Sequence, residues 1–253
     1  MAKAKDILQF IESIAPTEFK MDWDNVGLLC GRGDKEVRTI LVALDPFPHV
    51  CQEAAEIGAD LLVTHHPLIF EVLKAVTDQT TVGQAIMTLI RSDITAINAH
   101  TNLDCAEGGV NDTLAERLEL KDISVIGSEH LLRAGNYESS LPDFLEQVKT
   151  RLGCEGLRYV DGGKPVCKVA VGGGSCGSEL MEVIEAGCDT FVTADVKYNQ
   201  FWDAKAFGIN LIDAGHFHTE NPVCAVLAEK LQAAFPEIRV ILPKSHTDCM
   251  KFY

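Results

Sequence analysis

Glu56-Ile57-Gly58-Ala59-Asp60-Leu61-Leu62-Val63-Thr64 reads as a helix end, a glycine stop and a buried strand. The chain repeats it without a gap as Glu185-Ala186-Gly187-Cys188-Asp189-Thr190-Phe191-Val192-Thr193. Glu, Gly, Asp, Val and Thr hold matching places in both. An apolar run without alternation, such as Leu61-Leu62-Val63, suits a strand covered on both faces of a parallel sheet. This grammar is common among parallel α/β units, yet the alignment favours two related halves.

Outward from the first copy, Arg38 to Leu44 predicts a strand closed by Asp45-Pro46, and His49 to Ile57 a helix. A helix over Val82 to Arg91 then precedes a strand from Ile94 to Asn98. Around the second copy lie a strand from Cys167 to Val171, a helix from about Ser178 to Ala186 and a strand from Ile209 to Ile212. Met1 to Ile14 has amphipathic helical spacing and stops near Pro16. Helices are also expected over Leu141 to Leu152 and Pro222 to Ala234. Alternating short strands and helices predict an α/β layered fold. A glycine-containing stretch places a boundary near Gly127, giving domains 1–126 and 127–253. The last strand, Ile238 to Leu242, is a candidate to return to the first domain.

The 253 residues are 47% hydrophobic and 23% charged, enough apolar material for a core, and the formal net charge is -15. Such acidity argues against duplex nucleic acid as partner, because no basic footprint is available to neutralise phosphates. A single nucleotide stays possible where bound cations supply positive charge. Nine cysteines, an odd number with no CxxC pair, predict reduced thiols and a cytoplasmic location. No apolar run leads to a small-residue cleavage site, and none approaches the ~20 residues that span a bilayer, so no membrane role is expected.

Chemistry concentrates at strand ends. His65-His66-Pro67 follows the first buried strand. Adjacent histidines in an extended strand point apart, so a shared metal requires a bend, which Pro67 is placed to mark. Two histidines capping a loop is the plain alternative. His100 is followed four residues on by Asp104, and His216 four residues on by Glu220. If residues 216 to 220 are helical, His216 and Glu220 share a face; if they are extended, His218 joins them. Asp104 as a turn cap and Glu220 as a favourable helix-start charge are the structural alternatives. Imidazoles and carboxylates without paired thiols favour Zn, Mn, Fe, Co or Ni. The donors exceed what one catalytic ion with an open position needs, which suggests two ions.

Asp195, Lys197 and Tyr198 end the second buried strand, placed to orient a substrate or to form a surface ion cluster. Gly172-Gly173-Gly174-Ser175-Cys176-Gly177 matches GxGxxG between a strand and a helix. It raises a rival, an NAD-type oxidoreductase, and more simply a turn whose N–H groups hold a phosphate. A purely structural turn is the third reading. His49, His130 and His246 have no local partner and are assigned no chemistry.

Trp23 to Gly31 (WDNVGLLCG), Leu61 to Phe70 (LLVTHHPLIF), Ala99 to Asp112 (AHTNLDCAEGGVND), Thr193 to Tyr198 (TADVKY) and Ile212 to Glu220 (IDAGHFHTE) together resemble the Nif-three-like dinuclear-metal family. Its members are commonly described as GTP cyclohydrolase I type 2 homologues. The resemblance implies two interlinked, pseudo-duplicated α/β domains with mainly parallel mixed sheets, a two-metal site between them and a toroidal homohexamer. It places metal ligands on His65, His66, Asp104, His216 and Glu220, with His100 beside them. After Lys197-Tyr198 the family usually has a histidine and this chain has Asn199, which puts that proton carrier in question. The expectation is a hydrolase of a purine nucleotide or related heterocycle, in which Asp195 or His218 moves protons. A non-catalytic metal store, delivery protein or adaptor is the alternative.

Overall fold

Apolar runs bounded by glycine and proline become the strands and helices of two sheets, in a computed structural model describing residues 1–253. The chain begins with α1 (Ala4–Ile14), β1 (Gly27–Cys30), β2 (Thr39–Ala43), α2 (Pro48–Glu56), β3 (Leu61–Thr64), α3 (Thr81–Arg91), β4 (Thr95–Asn98) and α4 (Thr101–Cys105). It continues with α5 (Val110–Arg117), β5 (Lys121–Ile126), β6 (Leu132–Ser139), α6 (Leu141–Leu152), β7 (Arg158–Val160) and β8 (Val166–Val171). Then come α7 (Leu180–Glu185), β9 (Thr190–Thr193), α8 (Tyr198–Phe207), β10 (Asn210–Asp213), α9 (His216–Glu220), α10 (Pro222–Ala234) and β11 (Arg239–Ile241).

Two compact units result. One comprises Met1–Ala106 with Cys224–Thr247, the other Glu107–Val223 with Asp248–Tyr253. The glycine signal near 127 marks a hairpin turn rather than the division between units. Gly127 (φ 83) follows β5, which pairs antiparallel with β6 inside the second unit. Leu114 of α5 lies in that unit's core with Phe144 and Val148 of α6.

In the first unit the strand order is β1-β4-β3-β2-β11. β11, β2, β3 and β4 run parallel, and β1 pairs antiparallel with β4. All four residues of β3 are buried, as its unbroken apolar pattern requires. α2 and α3 supply Val50, Cys51, Ala54, Ala85, Ile86 and Leu89 to the core over the sheet. The Thr80 hydroxyl caps α3 by accepting from the Gly83 N–H.

In the second unit the order is β5-β6-β8-β9-β10-β7. Only the central β8, β9 and β10 are parallel, and β5, β6 and β7 are added antiparallel. Both sheets are therefore mixed, the second with a parallel centre and antiparallel flanks. β5 is exposed at several positions, which an antiparallel edge tolerates.

The two units repeat one hydrogen-bond scheme. The Asp60 carboxylate accepts the N–H groups of Arg38 and Thr39 at the start of β2, and the Asp189 carboxylate accepts those of Cys167 and Lys168 in β8. Just past the strands, the Ala99 N–H donates to Thr64 O and the Ala214 N–H to Thr193 O. The Asp of the repeated nonapeptide thus does the same work in both units, tying its own strand to the start of a neighbouring one.

Candidate metal centre

β3 stops at Thr64, whose hydroxyl donates to the His66 carbonyl at 2.7 Å. The chain bends there and brings the His65 and His66 rings to 4.9 Å between centroids. His100, just ahead of α4, lies 5.1 Å from His65 and 5.4 Å from His66. One ligand nitrogen from each of the three falls within 4.8 Å of the others. Asp104, on α4, places Oδ1 3.5 Å from His65 Nε2.

Each ring is held from behind. His65 Nδ1 is 2.9 Å from Ala99 O, His66 Nδ1 is 2.7 Å from Asp45 Oδ1, and His100 Nδ1 is 2.8 Å from Asp24 Oδ1. A carbonyl or an ionised carboxylate only accepts, so Nδ1 carries a proton, and in the neutral ring Nε2 carries the lone pair. That is the tautomer a metal ligand needs, oriented as metal-binding histidines usually are. Burial opposes ionisation of Asp24, but hydrogen bonds from His100 and Thr101 outweigh it and hold the carboxyl well below the usual range. For Asp45 burial is likewise outweighed, by hydrogen bonds from His246 and His66.

The second unit carries its own cluster. Residues 216–220 are helical in α9, so His216 and Glu220 share a face, with Nε2 2.9 Å from Glu220 Oε2. His216 Nδ1 is 2.7 Å from Asp195 Oδ2. Asp195 ends the second buried strand with φ 51, an uncommon conformation for a residue with a side chain. His218 lies off the shared face, with Nδ1 3.2 Å from Leu152 O and Nε2 3.3 Å from Asp248. Lys197 and Tyr198 are exposed at the start of α8, as is Asn199.

The glycine turn serves this cluster. The N–H groups of Gly172, Gly173 and Gly174 donate to Val192 O, Asn111 Oδ1 and Thr219 Oγ1. These three amides are therefore engaged, and the expected phosphate cradle over Gly172, Gly173, Gly174 and Ser175 loses its main donors. A Cβ at Gly174 (φ 65) would overlap the Glu220 carboxylate and come within 3.1 Å of the His216 ring. The turn is glycine so that backbone can lie against the carboxylate, not to receive a dinucleotide.

Imidazole nitrogens of His65, His66 and His100 lie close enough together to share a divalent first-row ion. Sequence reasoning passed over Asp24, Asp45 and His246. The two acids stand in turn segments, where acids are common. His246 has no neighbour in sequence that marks it, yet its Nε2 is 2.9 Å from Asp45.

No helix is long and apolar enough to cross a membrane. Residues 2–248 match the sequence signature of Duf34/NIF3 (NGG1p interacting factor 3). A Clostridium perfringens protein named GTP cyclohydrolase 1 type 2 homolog is 36% identical, over 99% of each chain. A Clostridium acetobutylicum protein of the same name is 33% identical, over 95% of this chain and 94% of its own. The crystal structure of a Bacillus cereus protein related to NIF3 superposes with a TM-score of 0.93 at 26% identity, covering 100% of this chain and 99% of that one. By signature, identity and fold together, this chain belongs to the Duf34/NIF3 family.

Proposed function

We propose that the protein is a dinuclear metal-dependent hydrolase of the GTP cyclohydrolase 1 type 2 class, acting on a purine nucleotide or a related small heterocycle. His65, His66, Asp104, His216 and Glu220 are the proposed ligands for two divalent ions per chain, drawn from Zn, Mn, Fe, Co or Ni. The Asp104 and Glu220 carboxylates would hold the ions together with the imidazoles. The observation that carries this reading is the backing of the rings. His65, His66, His100 and His216 each have Nδ1 tied to a carbonyl or carboxylate, an arrangement suited to presenting Nε2 to a metal. The names of the related proteins support the reaction class.

When bound, such a pair of ions supplies polarisation of a C=N or C=O group and an acidified water at neutral pH. Asp45 and Asp195 would keep their histidines aimed. Asp195 or His218 would accept and return protons. Exposed Lys197 and Tyr198 would orient the substrate, with Asn199 taking no proton-carrying part. The working assembly is proposed to be a toroidal homohexamer in the cytoplasm.

Metal analysis of the purified protein, followed by assay of metal-stripped and reconstituted samples on GTP for a pterin-like absorbance, tests this. Turnover that appears only with metal is expected. Tight metal uptake with no turnover of any nucleotide would turn the assignment to a non-catalytic metal store, delivery protein or adaptor.

A further inference from the structure

His246 follows β11 in a segment without regular secondary structure, yet its side chain is only 3% exposed. It stands 201 positions from the residue it touches. Its Nε2 lies 2.9 Å from Asp45 Oδ2, while Asp45 Oδ1 lies 2.7 Å from His66 Nδ1. One carboxylate thus holds an imidazole on each oxygen.

The segment is fixed just ahead of His246. Glu53 on α2 accepts the Lys244 N–H at 2.8 Å, the Ser245 N–H at 2.9 Å and the Ser245 hydroxyl at 2.5 Å. The Phe47 ring meets His246 nearly edge-on at 6.2 Å. α2 and the turn before it therefore supply every one of these contacts, as well as Asp45 itself.

A carboxylate with a single partner swings about its terminal torsion, which is soft. A second hydrogen bond on the other oxygen removes that freedom, so the donor on the first oxygen keeps one direction. Loss of the second bond leaves a half-buried carboxylate oxygen short of a partner, and the group reorients to recover one.

We infer that His246 is a positioning residue for metal binding. Through Asp45 it fixes the tautomer and direction of His66, so the C-terminal segment sets how tightly the histidine cluster holds a divalent ion. The inference rests on the proposed ligand role of His66.

The test titrates metal-stripped full-length protein with Co2+ against a chromophoric chelator and records the cobalt d–d absorption. His246→Ala is expected to weaken Co2+ binding about tenfold, the lower end of the range for groups behind a ligand, and to change the absorption envelope. His246→Gln, whose Nε2–H can still reach Asp45, is expected to restore most of both. Urea unfolding of the stripped proteins establishes that the variants are folded. Should His246→Ala not fold, Glu53→Ala decides: weakened Co2+ binding supports the inference, and wild-type binding overturns it. A folded His246→Ala protein with wild-type affinity and spectrum also overturns it, leaving the proposed function intact. Wild-type protein that takes up no Co2+ or Zn2+ sinks the proposed function and this inference together.

Discussion

Asp24 accepts from the His100 ring, the Thr101 N–H and the Thr101 hydroxyl, and its side chain is buried. Its native pKa lies below that of an unfolded aspartate, ~3.9. The stability it contributes is therefore complete above about pH 4 and is lost as the pH falls through the lower native value. Asp24→Asn is expected to cost about 1.5–3 kcal/mol at pH 7. The gap from wild type should narrow below about pH 4, read from urea midpoints over a pH series. Thiols divide in the same physical way. Burial pushes Cys51 and Cys154 up to about 12 and Cys188 to about 11, whereas Cys167 and Cys249 are exposed. A thiol reagent at pH 8 should label Cys167 and Cys249 first, with Cys51, Cys154 and Cys188 following only on unfolding, as peptide mass mapping would show. The histidines and acids at helical spacing were legible because i,i+4 geometry is local. Their supports were not, since Asp24 and His100 are 76 positions apart and Asp45 and His246 are 201 apart.

At the level of elements, α6 shows what an amphipathic pattern can specify. Its expected span, Leu141 to Leu152, is the observed one, started by a Ser140 cap and stopped by Gly153 in the left-handed region. Phe144 of this helix is fully buried, so Phe144→Ala is expected to cost about 3–5 kcal/mol in denaturant unfolding. The β5–β6 hairpin escaped the sequence reading. β5 is too exposed to show an apolar run, and its turn glycine resembles a linker. The turn at Gly172 to Gly174 was located correctly between a strand and a helix, but its motif pointed to phosphate. Pattern alone does not report that the three N–H groups are already engaged. Gly174→Ala should cost about 1–3 kcal/mol through its positive φ. It should also displace Glu220, seen as a loss of metal uptake beyond the stability change.

For the molecule as a whole, the α/β class was legible from the alternation of apolar strands and helices, and the family from motifs spread along the chain. The division into units was not, because contacts rather than composition decide which segments pack together. A metal bound to the native state alone raises apparent stability, by about 2.7 kcal/mol at a hundredfold excess over Kd. Chelation should therefore lower the melting temperature of the purified protein, with recovery on adding Zn2+ or Co2+. β11 covers the outer edge of β2. Ending the chain after Glu237 is expected to leave that edge open and to drive aggregation, measurable by light scattering.

The first unit takes its last strand and His246 from residues beyond the whole of the main second-unit segment. On the ribosome, Glu107–Val223 emerges while the earlier sheet still lacks its edge. The nascent chain can finish the later unit's central sheet first and must keep the opening portion waiting. On the proposed function, acquisition of a cation by the histidine cluster would then be among the final events of biogenesis, after synthesis has passed the Lys244–Ser245 clamp on Glu53.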